Sequence, residues 1–164
     1  MARTTTHDEV LVAIRDRLRN VLDLSPAQCF LSLSRWAPGK FGPGGEYWIV
    51  IAPWGSSFDE SEQAGGGRLM VVERAEVEVA ICTRIHVDQA ERMEQAFLDA
   101  NRGLFARKKA VIDALAGHDL LDASGNPLLV GNIQLVQARP VEYELETGQA
   151  VLSLIFSTPF CWAQ

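Results

Sequence analysis

The spacing of the apolar residues changes once, within residues 69–115, and that change limits the folds open to the chain. Val77, Val79, Ile81 and Ile85 share one parity, with Thr83 between them, while Glu76, Glu78, Arg84 and His86 share the other. A period of two marks a strand with one buried and one wetter face, and Val, Ile and Thr suit a pleated surface. Leu69, Met70, Val71 and Val72 are apolar on both parities, which predicts cover on both sides or a subunit contact. After His86-Val87 the period becomes helical. Asp88 and Glu91 have capping-box spacing. Ala90, Met93, Phe97, Ala100 and Leu104 follow in steps of three and four, and Val111 and Leu115 continue the phase. Because the stripe keeps its phase across Gly103, the pattern predicts one long helix, bent there and capped near Gly117.

The flanking stretches carry their own punctuation. Thr6 and Glu9 have capping-box spacing ahead of a stripe of Leu11, Ile14, Leu18, Val21 and Leu22, which predicts a helix over 7–23 ended by Ser25-Pro26. Cys29, Leu31 and Leu33 alternate with Ser32 and Ser34, giving a strand over 28–35. Residues 37–46 are rich in Gly and Pro and read as a loop. Residues 46–52, EYWIVIA, read as a strand buried on both faces and closed by Pro53. Residues 55–68 are acidic and Gly-rich and read as a second long loop, of a length that is uncommon inside a compact domain. Ser124-Gly125-Asn126-Pro127 has turn chemistry. Residues 133–141, continued by 142–146, pair through a Thr147-Gly148 hairpin with a strand over 150–158. Pro159 stops that strand, and Phe160 and Trp162 in the tail pack against something.

The element order is therefore α-β-β-β-α-β-β. It predicts an α+β fold, a mixed and largely antiparallel sheet with one long and one short helix packed on one face. The 164 residues fit a single domain, 1–164, long enough to bury roughly 70% of its extended-chain surface. No apolar run approaches the ~20 residues of a membrane span, so no membrane partner is expected. The first ten residues lack an apolar signal core, so export by that route is not expected. Cys29, Cys82 and Cys161 are odd in number and lack CxxC spacing, and read as reduced packing residues. The net charge of −6 argues against a general nucleic-acid binder, which needs a basic footprint.

Motifs that carry chemistry are sparse. His7, His86 and His118 lie far apart without HxH or HxxxH spacing, so no metal site is predicted. Neither glycine cluster ends in GK[ST] or feeds a helix, so neither is a phosphate cradle or a dinucleotide fingerprint. Gly55-Ser56-Ser57 lacks the second glycine of a nucleophile elbow. Glu76 and Glu78 are same-face neighbours roughly 7 Å apart. That spacing is conceivable for a glycosidase pair but more ordinary for a solvated or interface-facing strand. Arg107-Lys108-Lys109, the only basic run, covers a wide helical arc and reads as a solvated face. No catalytic residue and no cofactor is predicted.

Three stretches together resemble the tail-terminator (tail-completion, minor tail) proteins of long-tailed bacteriophages and prophages. They are the opening helix DEVLVAIRDRLRNVL, the strand-to-helix junction RAEVEVAICTRIHVDQAERMEQAFLDA, and the closing hairpin QLVQARPVEYELETGQAVLSLIFSTPF. They cover about two thirds of the chain, as a pattern of elements and not an invariant motif. The loop at 55–68 and the aromatic tail have no counterpart in the family pattern. The resemblance implies a non-enzymatic structural protein. It would assemble as a homo-oligomeric ring, typically a hexamer, that caps the tail tube and joins it to the head connector. Its partners would be tail-tube and head-connector proteins. DNA would pass through the lumen without specific binding, a passage that an acidic wall suits. Assembly would take place in the cytoplasm, and the final location would be the virion tail. The expected interface residues are Leu69, Met70, Val71, Val72, Trp48, Trp54, Phe160 and Trp162. The alternative is a small-ligand-binding or enzymatic α+β domain with a pocket between helix and sheet, lined by Trp36, Trp48 or His86.

Overall fold

The computed structural model describes residues 5–33, 47–62, 69–85, 90–144 and 148–163, and the side chains of all but 59–62, 69–70 and 162–163 among them. Helix α1 (His7–Leu22) begins where Glu9 reaches back to accept the Thr6 N–H at 2.9 Å, so the Thr6/Glu9 box operates as expected. It ends at Asp23 in the left-handed conformation, φ 52°. Its inward stripe is Val10, Ile14 and Leu18. Val21, assigned to that stripe from sequence, lies on the helix flank and is 54% exposed. Two arginines outside the stripe fasten the helix. Arg19 donates to the Cys29 carbonyl at 2.6 and 2.9 Å, and Arg17 donates to Ala114 O at 2.6 Å.

Six strands follow: β1 (Cys29–Leu31), β2 (Tyr47–Glu62), β3 (Leu69–Arg84), β4 (Gln134–Ala138), β5 (Glu142–Glu144) and β6 (Gln149–Ala163). They form one open sheet in the order β1-β2-β3-β6-β4, with β5 also on β6. Only β1–β2 is parallel. The expected α+β class with a mixed, largely antiparallel sheet is what the chain adopts. β4 and β5 run along the same edge of β6 and behave as one strand interrupted near Pro140, which has no N–H to give the ladder.

Helices α1 and α3 (Leu104–Leu115) cover one face. Val10, Ile14, Leu18, Leu104, Val111 and Leu115 meet Ile49, Ile51, Val77, Val79, Ile81, Leu152, Leu154 and Phe156 in the main core. The alternation of β3 was therefore legible. Its other parity is less wet than the sequence implied: Ala80 and Cys82 are buried in a second cluster with Trp48, Val50 and Val151.

Two expectations fail, for local reasons. The loop expected at 55–68 is in fact strand through Glu62, paired residue by residue with β3 as far as Leu69. Pro53 and Gly55 mark a bulge, not a stop. The long helix is two helices, α2 (Ala90–Leu98) and α3, separated at 99–103. The Asp99 carboxylate accepts the N–H groups of Asn101 and Arg102 at 2.8 and 2.7 Å, an alternative to helical bonding. A Cβ on Gly103 would lie 2.6–2.7 Å from backbone atoms of Phe97 and Asp99. As a result α2 buries none of its residues, and Met93 of the expected stripe is exposed. The stop near Gly117 holds, with α3 ending at Leu115 and Gly117 at φ 77°. The expected cap at Asp88 and the whole of the 37–46 loop lie outside the described residues.

Candidate interaction surfaces

Among the described residues, no cluster of three or more His, Cys, Asp or Glu is placed to hold a metal ion. His7 packs against the Phe160 ring at 6.3 Å, and His118 is exposed behind α3. The three cysteines are buried thiols outside any disulfide, and burial pushes the Cys29 thiol up to about 11. Within the basic run, Arg107 turns inward. Its guanidinium lies 3.9 Å over the Tyr47 ring and donates to the Tyr47 hydroxyl at 3.1 Å, while Lys109 points out beside Asp113. Burial raises the Tyr47 phenol above its ordinary range, and the Arg107 charge opposes that rise. These contacts hold α3 to the sheet.

The distinctive surfaces are those of an open sheet. β1 pairs with β2 only at residues 49–51, so among the described residues the outer edge of β2 from Pro53 onward has no strand partner. Side chains 53–58 are exposed there, including Trp54 at 48% and Phe58 at 59%. At the opposite edge all five residues of β4 are exposed, including Leu135 and Val136. Unpaired edges of this length offer ladder donors and acceptors to another chain. Arg139 and Trp54 meet above the sheet, with the guanidinium 5.1 Å from the ring centroid.

The residues expected at an interface fall into three groups. Trp54 is on the surface. Val71 and Val72 are partly buried on β3, opposite Trp162 and Cys161 of β6, while Leu69 and Met70 extend the same strand opposite Glu62 and Ser61. Phe160 is fully buried in the main core and Trp48 is 4% exposed in the second cluster, so both are held inside the single chain. Their size invited an interface reading, but the tail continues β6 instead of leaving the sheet, and that turns Phe160 inward. Trp48 therefore lines no open pocket, and Trp36 and His86 lie outside the described residues.

A cavity among the described residues lies elsewhere, between the outer side of α1 and the 119–128 turn, with a volume of about 650 Å³. Val12, Ala13, Val21, Leu120, Leu121 and Leu128 supply its apolar lining. Glu9, Asp16, Asp119 and Asp122 stand against Arg17 as its charged members. The turn is built by Asp122, whose carboxylate accepts the N–H groups of Ser124 and Asn126 at 2.8 Å, with Gly125 at φ 82°. One cue to this groove lies in the sequence: Val12 falls off the inward stripe of α1.

No family profile matches the sequence, and no curated protein matches it. Among solved structures, the fold is similar to that of a chain in the virion of a native gene transfer agent particle. The TM-score is 0.50 at 12% identity, over 94% of this chain and 96% of that one.

Proposed function

We propose that this chain is a structural protein of a phage or prophage tail, acting like a tail terminator. Copies of it form a ring, a hexamer, at the end of the tail tube and join the tube to the head connector. Genome DNA passes through the lumen without specific binding, and the protein carries out no reaction. The observation that carries this reading is the correspondence of folds. Nearly the whole of this chain and nearly the whole of a virion chain follow the same path, so the likeness is not confined to a common sub-motif. The open sheet supports it, because long edges with exposed Trp54, Phe58, Leu135 and Val136 fit a protein completed by neighbours. The net charge of −6 fits a wall that must not hold phosphate.

The test is electron microscopy of the purified protein, with tail tubes present and absent. The expected result is closed rings of constant diameter that seat on tube ends. A protein that stays monomeric and ignores tubes would remove the reading.

A further inference from the structure

The α1 groove has an apolar floor and an acidic rim, and a different part of the same chain has the opposite character. At the α2–α3 corner Phe105 is 48% exposed. Lys109, four residues after it, shares its face of α3, and Arg102 stands in the turn just ahead of the helix, both exposed. Two carboxylates near this corner are already engaged. Asp99 holds the backbone N–H groups of Asn101 and Arg102, and Asp113 pairs with Lys109 in an exposed i,i+4 contact that contributes little.

We propose that the corner of one copy docks in the groove of the next. Phe105 enters between Val12, Val21 and Leu121, and Arg102 and Lys109 meet Asp16 and Asp119 on the rim. The inference rests on the ring reading and names a contact through which neighbouring copies recognise each other. Three observations favour a second copy as the occupant. First, the charges match: Glu9, Asp16, Asp119 and Asp122 in the lining outnumber its one cation, Arg17, which is tied to Ala114 O, even with Arg15 beside the groove pairing with the half-exposed Asp16 at 2.8 Å. Second, the shapes match, since a cavity of about 650 Å³ takes an aromatic ring and the methylene stems beside it. Third, copies of a chain at −6 repel one another unless a basic patch is matched to an acidic one, so this pairing also orients them. Because groove and corner are different surfaces, the contact can repeat head to tail, which is how rings close.

Charge reversal tests the contact on the full chain. One variant carries Asp16→Arg with Asp119→Arg, another carries Arg102→Glu with Lys109→Glu, and a third carries all four. Association is measured by mass photometry at fixed salt, and folding by circular dichroism. Each double variant is expected to dissociate at concentrations about tenfold or more above those of the unaltered chain, and the fourfold variant is expected to regain most of that loss. If a reversed groove disturbs folding, Phe105→Ser replaces it, with the same loss expected and the helix signal unchanged. Assembly that ignores the double variants or Phe105→Ser would overturn the contact while leaving the ring reading intact. A fourfold variant no better than either double would also overturn it. Association that obeys this pattern but stops at a dimer would keep the contact and remove the ring.

Discussion

Replacing Gly103 with Ala separates two physical effects of opposite sign. Gly103 has φ −67°, a conformation every residue adopts. Chain entropy alone therefore favours Ala, by about 0.4–1 kcal/mol. Packing opposes it. The added Cβ would lie 2.6 Å from Phe97 O and 2.7 Å from both Asp99 N and Asp99 O. All three are backbone atoms, of the last turn of α2 and of the turn that follows it, so no side chain can swing aside. Overpacking of this kind costs typically 1–3 kcal/mol. The difference is a net loss of about 1–2 kcal/mol, or roughly 2–8 °C in Tm for a domain of this size. Urea unfolding at fixed protein concentration, followed by circular dichroism, measures it. A variant as stable as the parent, or more stable, would show that the corner relaxes freely and that Gly103 is not what separates the helices.

Other expectations follow from burial and charge. Ile81→Ala, at a fully buried position of the main core, should cost about 2–5 kcal/mol. Val136→Ala on the exposed β4 edge should stay within about 0.5 kcal/mol, and denaturant titration of the pair compares them. Thr158→Val removes the 2.9 Å bond that the buried hydroxyl donates to Ala75 O, and should cost about 1 kcal/mol by the same assay. Cys29 should resist a thiol reagent at pH 8 in the folded protein and react at once in denaturant, because burial raises its pKa to about 11; rapid native labelling would contradict the packing. Backbone N–H groups of Asn101 and Arg102 hold the Asp99 carboxyl below its ordinary range. A depressed pKa of this kind supports folding at neutral pH, and the support is lost as pH falls through the lowered value. Asp99→Asn should therefore flatten the acid side of the stability profile.

How much of this was legible depended on whether a residue's fate was decided locally. The alternation of Val77, Val79 and Ile81 reports a buried face directly, and the Thr6/Glu9 box and Gly117 mark helix ends because capping needs only neighbours. Residues 56–62 were misread because backbone ladders do not require apolar side chains. Ser56, Ser57, Asp59 and Glu60 pair with β3 as regularly as Ile49 does. Gly103 was misread because the helical phase continues across it, whereas the close approach of Phe97 O is a three-dimensional fact. The α1 groove had almost no signature, since it joins Val12 and Val21 to Leu121, a residue about a hundred positions away. Phe160 was expected to pack against something, and it does so in the main core; that it does so as part of the sheet was not legible, because Pro159 seemed to end the strand, whereas β6 runs through it to Ala163.

The central claim is that the chain is completed by copies of itself. Mass photometry of the unaltered protein across a concentration series, with electron microscopy of the same samples, tests it most directly. The expected result is one dominant assembly near six times the 18.1 kDa chain mass, seen as closed rings of a single diameter. A species that stays at 18.1 kDa across the whole series would contradict it.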